Sequence, residues 1–153
     1  RMLMQKVTNA RLLLDNDSTW GSIAKGIIVY FCFMKSASES TVSDMVSQIC
    51  HAKIYTDNGK KGLKDLSYTN ENGGNQKWQL MLIPQASLGG KMKGKVAQYH
   101  GLIEKSRGEE LYEELKCSLK EELGEDRIIF GTFGNTQGLE FNAEGPYTHF
   151  FEF

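Results

Sequence analysis

The residues best suited to chemistry lie in two short segments, Pro84-Gln85-Ala86-Ser87-Leu88-Gly89-Gly90-Lys91 and Asn142-Ala143-Glu144-Gly145-Pro146-Tyr147-Thr148-His149-Phe150-Phe151-Glu152-Phe153. Together they hold both prolines of the chain. Proline fixes φ and donates no backbone hydrogen bond, so each marks a rigid bend. The second follows Gly145, and glycine tolerates backbone angles that other residues do not. Gly145-Pro146 before an aromatic strand is therefore a shaped piece of backbone, and main-chain carbonyls and amides recognise ligands as side chains do. Ser87 and Thr148 are the nearest hydroxyls, but neither sits in a G-x-S-x-G elbow, and a serine nucleophile needs a positioned base. A covalent triad is not supported.

Other side chains add little. His51, His100 and His149 have no carboxylate at a telling spacing and read as structural or surface residues. Glu109, Glu110, Glu113, Glu114, Glu121 and Glu122 read as a solvated helix face. Cys32, Cys50 and Cys117 lie far apart with no C-x-x-C pair, which points to neither a disulfide framework nor zinc. No metal or cofactor is called for.

The run Gly89-Gly90-Lys91-Met92-Lys93-Gly94-Lys95 satisfies the G-x-x-x-x-G-K part of a phosphate-binding P-loop. Val96 stands where the magnesium-holding Ser or Thr is required. Two readings remain: a glycine-rich surface loop, or a basic arm in which Lys91, Lys93 and Lys95 meet nucleic-acid phosphates, with Tyr99 and His100 placed to stack on a base. Five cations and one acid lie between Lys91 and Arg107, although the net charge of the chain is only −1.

Positioning these segments requires strands and helices. Residues 7–14 read as a strand, Asp15-Asn16-Asp17-Ser18 as a turn, and residues 27–34 as a strand buried on both faces; together they suggest an antiparallel meander. Val42, Met45, Val46, Ile49 and Cys50 fall on one helical stripe, started by serines and Thr41. Asp57-Asn58-Gly59 and Asn72-Gly73-Gly74-Asn75 are turn signals, and residues 78–83 form a strand ending at Pro84. Ser106 with Glu109 has capping-box spacing, and Leu111, Leu115, Leu119 and Leu123 recur every four residues up to Gly124, giving a second amphipathic helix. Residues 127–133, 138–141 and 147–153 close the fold as strands, the last with Tyr147, His149, Phe151 and Phe153 on one face. This is an α/β chain with a mostly antiparallel or mixed sheet and two amphipathic helices.

At 153 residues, 40% hydrophobic and 24% charged, the chain reads as one ordinary globular domain over 1–153. No apolar run approaches the roughly 20 residues of a spanning helix. The N-terminus lacks the order of a signal peptide, so the cytoplasm is the expected compartment.

The motifs resemble a known family. Gln5-Lys6-Val7-Thr8-Asn9-Ala10, the strand at Gly26, Pro84-Gln85-Ala86-Ser87-Leu88 and Asn142-Ala143-Glu144-Gly145-Pro146-Tyr147-Thr148 occur in the order found in D-aminoacyl-tRNA deacylases of the DTD-like fold, over nearly the whole chain. The branch called animalia-specific tRNA deacylase is the nearer match, on Gly89-Gly90-Lys91, Gln98-Tyr99-His100, Glu110-Leu111-Tyr112, His149 and the Glu-Phe ending.

The resemblance implies a homodimer that hydrolyses the ester between a mischarged amino acid and the tRNA 3′ adenosine. It places Gly145 and Pro146 of one subunit, with Tyr147 and Thr148, at the partner's substrate pocket. It makes Gln85, Ala86 and Ser87 the catalytic segment, acting through backbone amides, with the adenosine 2′-hydroxyl helping to activate water. The chiral-proofreading members carry serine and phenylalanine where this chain has Pro84 and Ala86, and arginine where Lys6 stands; lysine lacks arginine's planar fork. Their Gly-Pro bond is cis. The branch resembled here has it trans, which implies a pocket open to L-alanine on a threonine tRNA and also to glycyl- and D-aminoacyl-tRNA. Two alternatives stay open from the residues alone: a non-catalytic RNA-binding module built on the Lys91 to Arg107 strip, and a nucleotide-binding protein built on the incomplete P-loop.

Overall fold

The computed structural model describes residues 1–55 and 59–153. The turn expected at Asp57-Asn58 lies outside the described residues.

Strand β1 (Met2–Val7) is followed by β2 (Asn9–Leu13), β3 (Trp20–Ile23) and β4 (Gly26–Phe31). Helix α1 (Glu39–His51) precedes the short strands β5 (Ser67–Thr69) and β6 (Asn75–Lys77) and the central strand β7 (Gln79–Pro84). A single 3-10 turn (Ala86–Gly89) leads to β8 (Lys91–Lys93) and β9 (Val96–Gln98). Helix α2 (Lys105–Leu123), β10 (Ile128–Phe130), β11 (Leu139–Asn142) and β12 (Thr148–Phe151) complete the chain.

Five strands form a mixed sheet in the order β10-β7-β4-β1-β12, and β11-β2-β3 form a second, antiparallel sheet. The strands β10, β7 and β4 run parallel, whereas β1 and β12 are antiparallel to their neighbours. Alternation along each strand sorts side chains between two cores, because successive residues of a strand face opposite ways. Met2, Met4, Ile27, Val29, Phe31, Leu80 and Leu82 face the helices, where Val42, Met45, Ile49, Leu111, Leu115 and Leu119 meet them. Val7, Ile28 and Met81 face the second sheet and pack with Ala10, Leu12 and Ile23. The run at Gly26–Phe31 is apolar throughout because both of its faces are covered, as in parallel sheets generally. No helix among the described residues is long and apolar enough to cross a membrane.

Several sequence expectations are corrected here. The stretch 7–14 is not one strand. The chain leaves the first sheet at Thr8, whose amide donates to the Asn142 carbonyl at 2.8 Å, and β2 enters the second sheet. The first third is therefore no meander, since β1 pairs with β4 and β12 rather than β2. Helix α2 begins one residue before Ser106 with Glu104 at its N-cap, so the Ser106/Glu109 box does not form; Gly124, at φ 90°, does end that helix. The P-loop reading also fails: Lys91 to Gln98 fold into the β8–β9 hairpin, turning at Gly94 (φ 61°), with no helix after the glycines to receive a phosphate. The basic strip is split as well, because the Arg107 guanidinium is paired with Glu110 at 2.8 Å and with Glu39.

Expectations elsewhere hold. The Asp15 carboxylate accepts the amides of Asp17, Ser18 and Thr19, forming the turn read from sequence, and the Thr19 hydroxyl together with these amides holds its pKa well below the usual range. At α1, Thr41 accepts the Ser38 amide at 3.2 Å.

Gly26 lies directly against the backbone of β7. A Cβ there would lie 2.0 Å from the Gln79 carbonyl oxygen, which is backbone and cannot swing aside. Gly26→Ala is expected to cost about 3 kcal/mol, lowering Tm by about 6–12 °C in thermal unfolding; an unchanged Tm would contradict this strand contact.

Candidate active site

A cavity of about 650 Å³ opens at the carboxyl ends of the three parallel strands. Parallel α/β sheets place ligands there, because the loops leaving adjacent strands diverge and leave a crevice. Three segments build its wall: Phe31, Cys32 and Phe33 after β4, Pro84 to Ser87 after β7, and Phe133 to Gln137 after β10.

The β7 exit is held firmly. Pro84 pairs with Phe31 at the end of the parallel ladder, and the Gln85 amide then donates to the Phe31 carbonyl at 2.7 Å. The chain next tightens into the 3-10 turn, in which Leu88 donates to Gln85 and Gly90 to Ser87. The leading amides of such a turn have no acceptor within it. Those of Ala86 and Ser87 have no acceptor elsewhere among the described residues. The Gln85 side chain donates to Ser87 Oγ at 3.0 Å, which ties the two polar side chains of the motif together.

The loop after β10 is fixed by Gln137. Its Oε1 accepts the Thr132 amide at 2.7 Å, and its Nε2 donates to the carbonyls of Leu13 and Leu14 at 3.0 and 3.1 Å. Tyr112 supports the same loop from α2 by donating to the Gly131 carbonyl at 2.6 Å, with its ring 5.8 Å from that of Phe133. The 3-10 turn and the loop, leaving adjacent strands, are thus two anchored segments of the cavity lining.

Ionisable groups in the wall are few. Burial pushes the Cys32 thiol and the Tyr30 hydroxyl upward, so neither is an anion near neutral pH. A thiol in that state is a poor nucleophile. Among the described residues Lys105 is the one charged residue in the lining, and no carboxylate or histidine joins it. Among the described residues no three His, Cys, Asp or Glu side chains gather as a metal site. The cavity offers amide donors, an amide side chain and a hydroxyl around an apolar floor. That combination suits binding and polarising a carbonyl.

The expected site residues are therefore only partly brought together. Gln85, Ala86 and Ser87 line the cavity, whereas Gly145, Pro146, Tyr147 and Thr148 do not. Sheet register explains the separation. Thr148 pairs with Gln5, which pairs with Ile28, three residues back along β4 from the cavity end at Phe31, and β12 lies two strands away from β4. Gly145 and Pro146 are exposed, joined by a trans bond, with Gly145 at φ 65° and open space where its Cβ would be. Tyr147 and Thr148 fasten this loop: the Tyr147 hydroxyl donates to the Ile54 carbonyl, the Thr148 hydroxyl to the Gln5 side chain, and the Lys6 amide to the Tyr147 carbonyl at 3.1 Å. Lys6 places its ammonium 5.8 Å from the ring centres of Trp78 and Tyr147, a cation–π position. Lys91, Lys93 and Lys95 lie exposed on the β8–β9 hairpin, outside the cavity lining.

Sequence reasoning missed Phe133, Asn135, Gln137 and Lys105. The turn-forming run Gly131-Thr132-Phe133-Gly134-Asn135 was the available signal for the loop, and nothing in sequence pairs it with residues 85–87.

Known proteins bear on this arrangement. A family model described as D-Tyr-tRNA(Tyr) deacylase matches residues 3–152. D-aminoacyl-tRNA deacylase 2 of Gallus gallus is 34% identical over all of this chain and 95% of its own length. The protein of the same name from Homo sapiens is likewise 34% identical, over 94% of its length. A solved structure of a probable eukaryotic D-amino acid tRNA deacylase superposes with a TM-score of 0.80 at 27% identity, covering 98% of this chain and 97% of that one. With a match to the family model from end to end and the corresponding fold, this chain belongs to the D-Tyr-tRNA(Tyr) deacylase family.

Proposed function

We propose that this chain hydrolyses the ester joining a mischarged amino acid to the 3′ adenosine of tRNA, and that it does so with main-chain groups. The pair of unpartnered amides at Ala86 and Ser87, set in a cavity whose wall carries no carboxylate, histidine or thiolate, carries this reading. Water adds to the ester carbonyl carbon, and the resulting oxyanion accepts hydrogen bonds from the two amides. The tetrahedral centre collapses, the bond to the ribose 3′ oxygen breaks, and that oxygen takes a proton. Preorganised donors of this kind contribute about 3–4 kcal/mol each to lowering the barrier. The Gln85 side chain adds a donor beside the same oxygen. With no side-chain base in the wall, the adenosine 2′-hydroxyl is the group that helps activate the water.

Gly145 and Pro146 act on a second copy of the chain. Their exposure, the open space around Gly145 and their distance from the cavity of the same chain support a homodimer in which each loop enters the neighbour's site. Exposed Tyr147, Phe150 and Phe153 along the last strand supply apolar surface for that contact. A trans Gly145–Pro146 bond fits a pocket that accepts small L-residues: L-alanine on a threonine tRNA, and glycyl- and D-aminoacyl-tRNA beside it. The exposed Lys91, Lys93 and Lys95 meet the tRNA backbone through counterion release. The site of action is cytoplasmic translation quality control, with no cofactor.

Purified protein incubated with Ala-tRNA(Thr), glycyl-tRNA and D-aminoacyl-tRNA is expected to release the amino acid well above the spontaneous rate. Release no faster than buffer for all three would leave a tRNA-binding module as the reading. Ala86→Pro removes one amide at the first position of the turn, where proline is tolerated and the preceding Gln85 is already extended. It is expected to lower kcat by about 100- to 1,000-fold with little change in Tm, and an unchanged kcat would exclude the Ala86 amide from catalysis. Gly145→Val strains a left-handed position and should abolish deacylation while leaving the fold intact. Wild-type rates in that variant would refute recognition by this loop.

A further inference from the structure

Lys105 is an anomaly in three respects. It is the first residue of α2, directly after the Glu104 N-cap, and a cation there opposes the positive end of the helix dipole. Its one ion-pair contact among the described residues, to Glu109, is long at 3.8 Å, whereas Arg107 in the same turn is paired with two carboxylates. It is also, among the described residues, the one charged residue lining the cavity, with its side chain 73% exposed. A residue that goes against local helix preference with only a long, exposed ion pair to offset it is a candidate for a role outside the helix.

Its position narrows what that function is. A Cβ built on Gly134 would lie 3.4 Å from Lys105 Cε and 3.6 Å from Nζ, which places the end of this exposed side chain beside the 133–137 loop. The ammonium therefore stands at the exposed rim of the cavity whose lining also includes Ala86 and Ser87. No carboxylate lines this cavity, so Lys105 balances no buried charge inside it. An ammonium is a compact point charge suited to phosphate. A substrate that puts its 3′ ester on the amides carries its nearest phosphate on the 5′ side of the same ribose.

We infer that Lys105 is a positioning residue that binds the 5′ phosphate of the terminal adenosine and so sets the depth at which the ester enters the cavity. This rests on the deacylase reading for the identity of the ligand. The β8–β9 lysines then hold tRNA at a distance from the site, and Lys105 alone acts within it.

The test uses two non-hydrolysable probes, 3′-amide analogues of alanyl-adenosine with and without a 5′ phosphate, titrated calorimetrically into the full chain. Wild type is expected to bind the phosphorylated probe about fivefold more tightly, the scale of an exposed charge pair. Lys105→Gln should bring that ratio to about one without changing affinity for the unphosphorylated probe, and Lys105→Arg should keep most of the preference. On charged tRNA, Lys105→Gln should raise KM more than it lowers kcat, and reduce the slope of log KM against log salt concentration by about 0.7. A preference unchanged in Lys105→Gln, or absent from wild type, overturns the inference. Failure of the deacylase reading is seen separately, as no hydrolysis of any ester by wild type, and it leaves the phosphate preference to be read from the amide probes.

Discussion

The parallel pairing of β4 with β7 is the contact on which the rest depends. It requires Gly26, because the Gln79 carbonyl occupies the space of any side chain there. From that point the register runs unbroken to Phe31 and Pro84, and the Gln85 amide extends it by one bond to the Phe31 carbonyl. The 3-10 turn therefore begins at a height set by the ladder, and the Ala86 and Ser87 amides are placed by it. Slippage by one residue would exchange the faces of Leu80, Met81 and Leu82 and disrupt both cores, so the register is strongly determined.

The second wall is placed by different means. The loop 133–137 has little regular structure, and its shape comes from side-chain bonds: Gln137 reaching to β2, and Tyr112 reaching from α2 to Gly131. One wall is thus fixed by backbone pairing and the other by two buried or half-buried side chains. A cavity held from both sides keeps its donors oriented before a ligand arrives, which is what electrostatic preorganisation requires. Under the proposed function the small inventory of ionisable groups has a physical sense, because fixed amide dipoles polarise a carbonyl without a titrating partner.

Much of the scaffold was legible in the sequence for simple reasons. The stripes on α1 and α2, the stop at Gly124, the doubly buried β4 and the proline at the end of β7 each follow from local periodicity or from one residue's backbone limits. What was not legible is non-local. Nothing near Thr8 announces that the chain changes sheets there, because the crossing is fixed by Asn142, far along the sequence. The lysine-glycine run mimicked a phosphate loop by composition, and its fold as a hairpin was decided by the pairing of Lys91 with Gln98. Of the site, residues 85–87 were legible through their motif. The loop 133–137, Lys105, and the separation of Gly145 and Pro146 from the cavity of their own chain were visible only once register was known.

That separation bears most directly on the proposed function, under which a complete site depends on two chains. It is tested most directly by preparing a heterodimer of one Ala86→Pro subunit and one Gly145→Val subunit, isolated through two different affinity tags, and measuring deacylation against each parent homodimer. If the loop acts across the interface, the heterodimer contains one site with both elements intact and should regain about half the wild-type dimer's activity, far above either parent. Activity no higher than that of the parents would mean that each loop serves its own chain, and would contradict the proposed shared site.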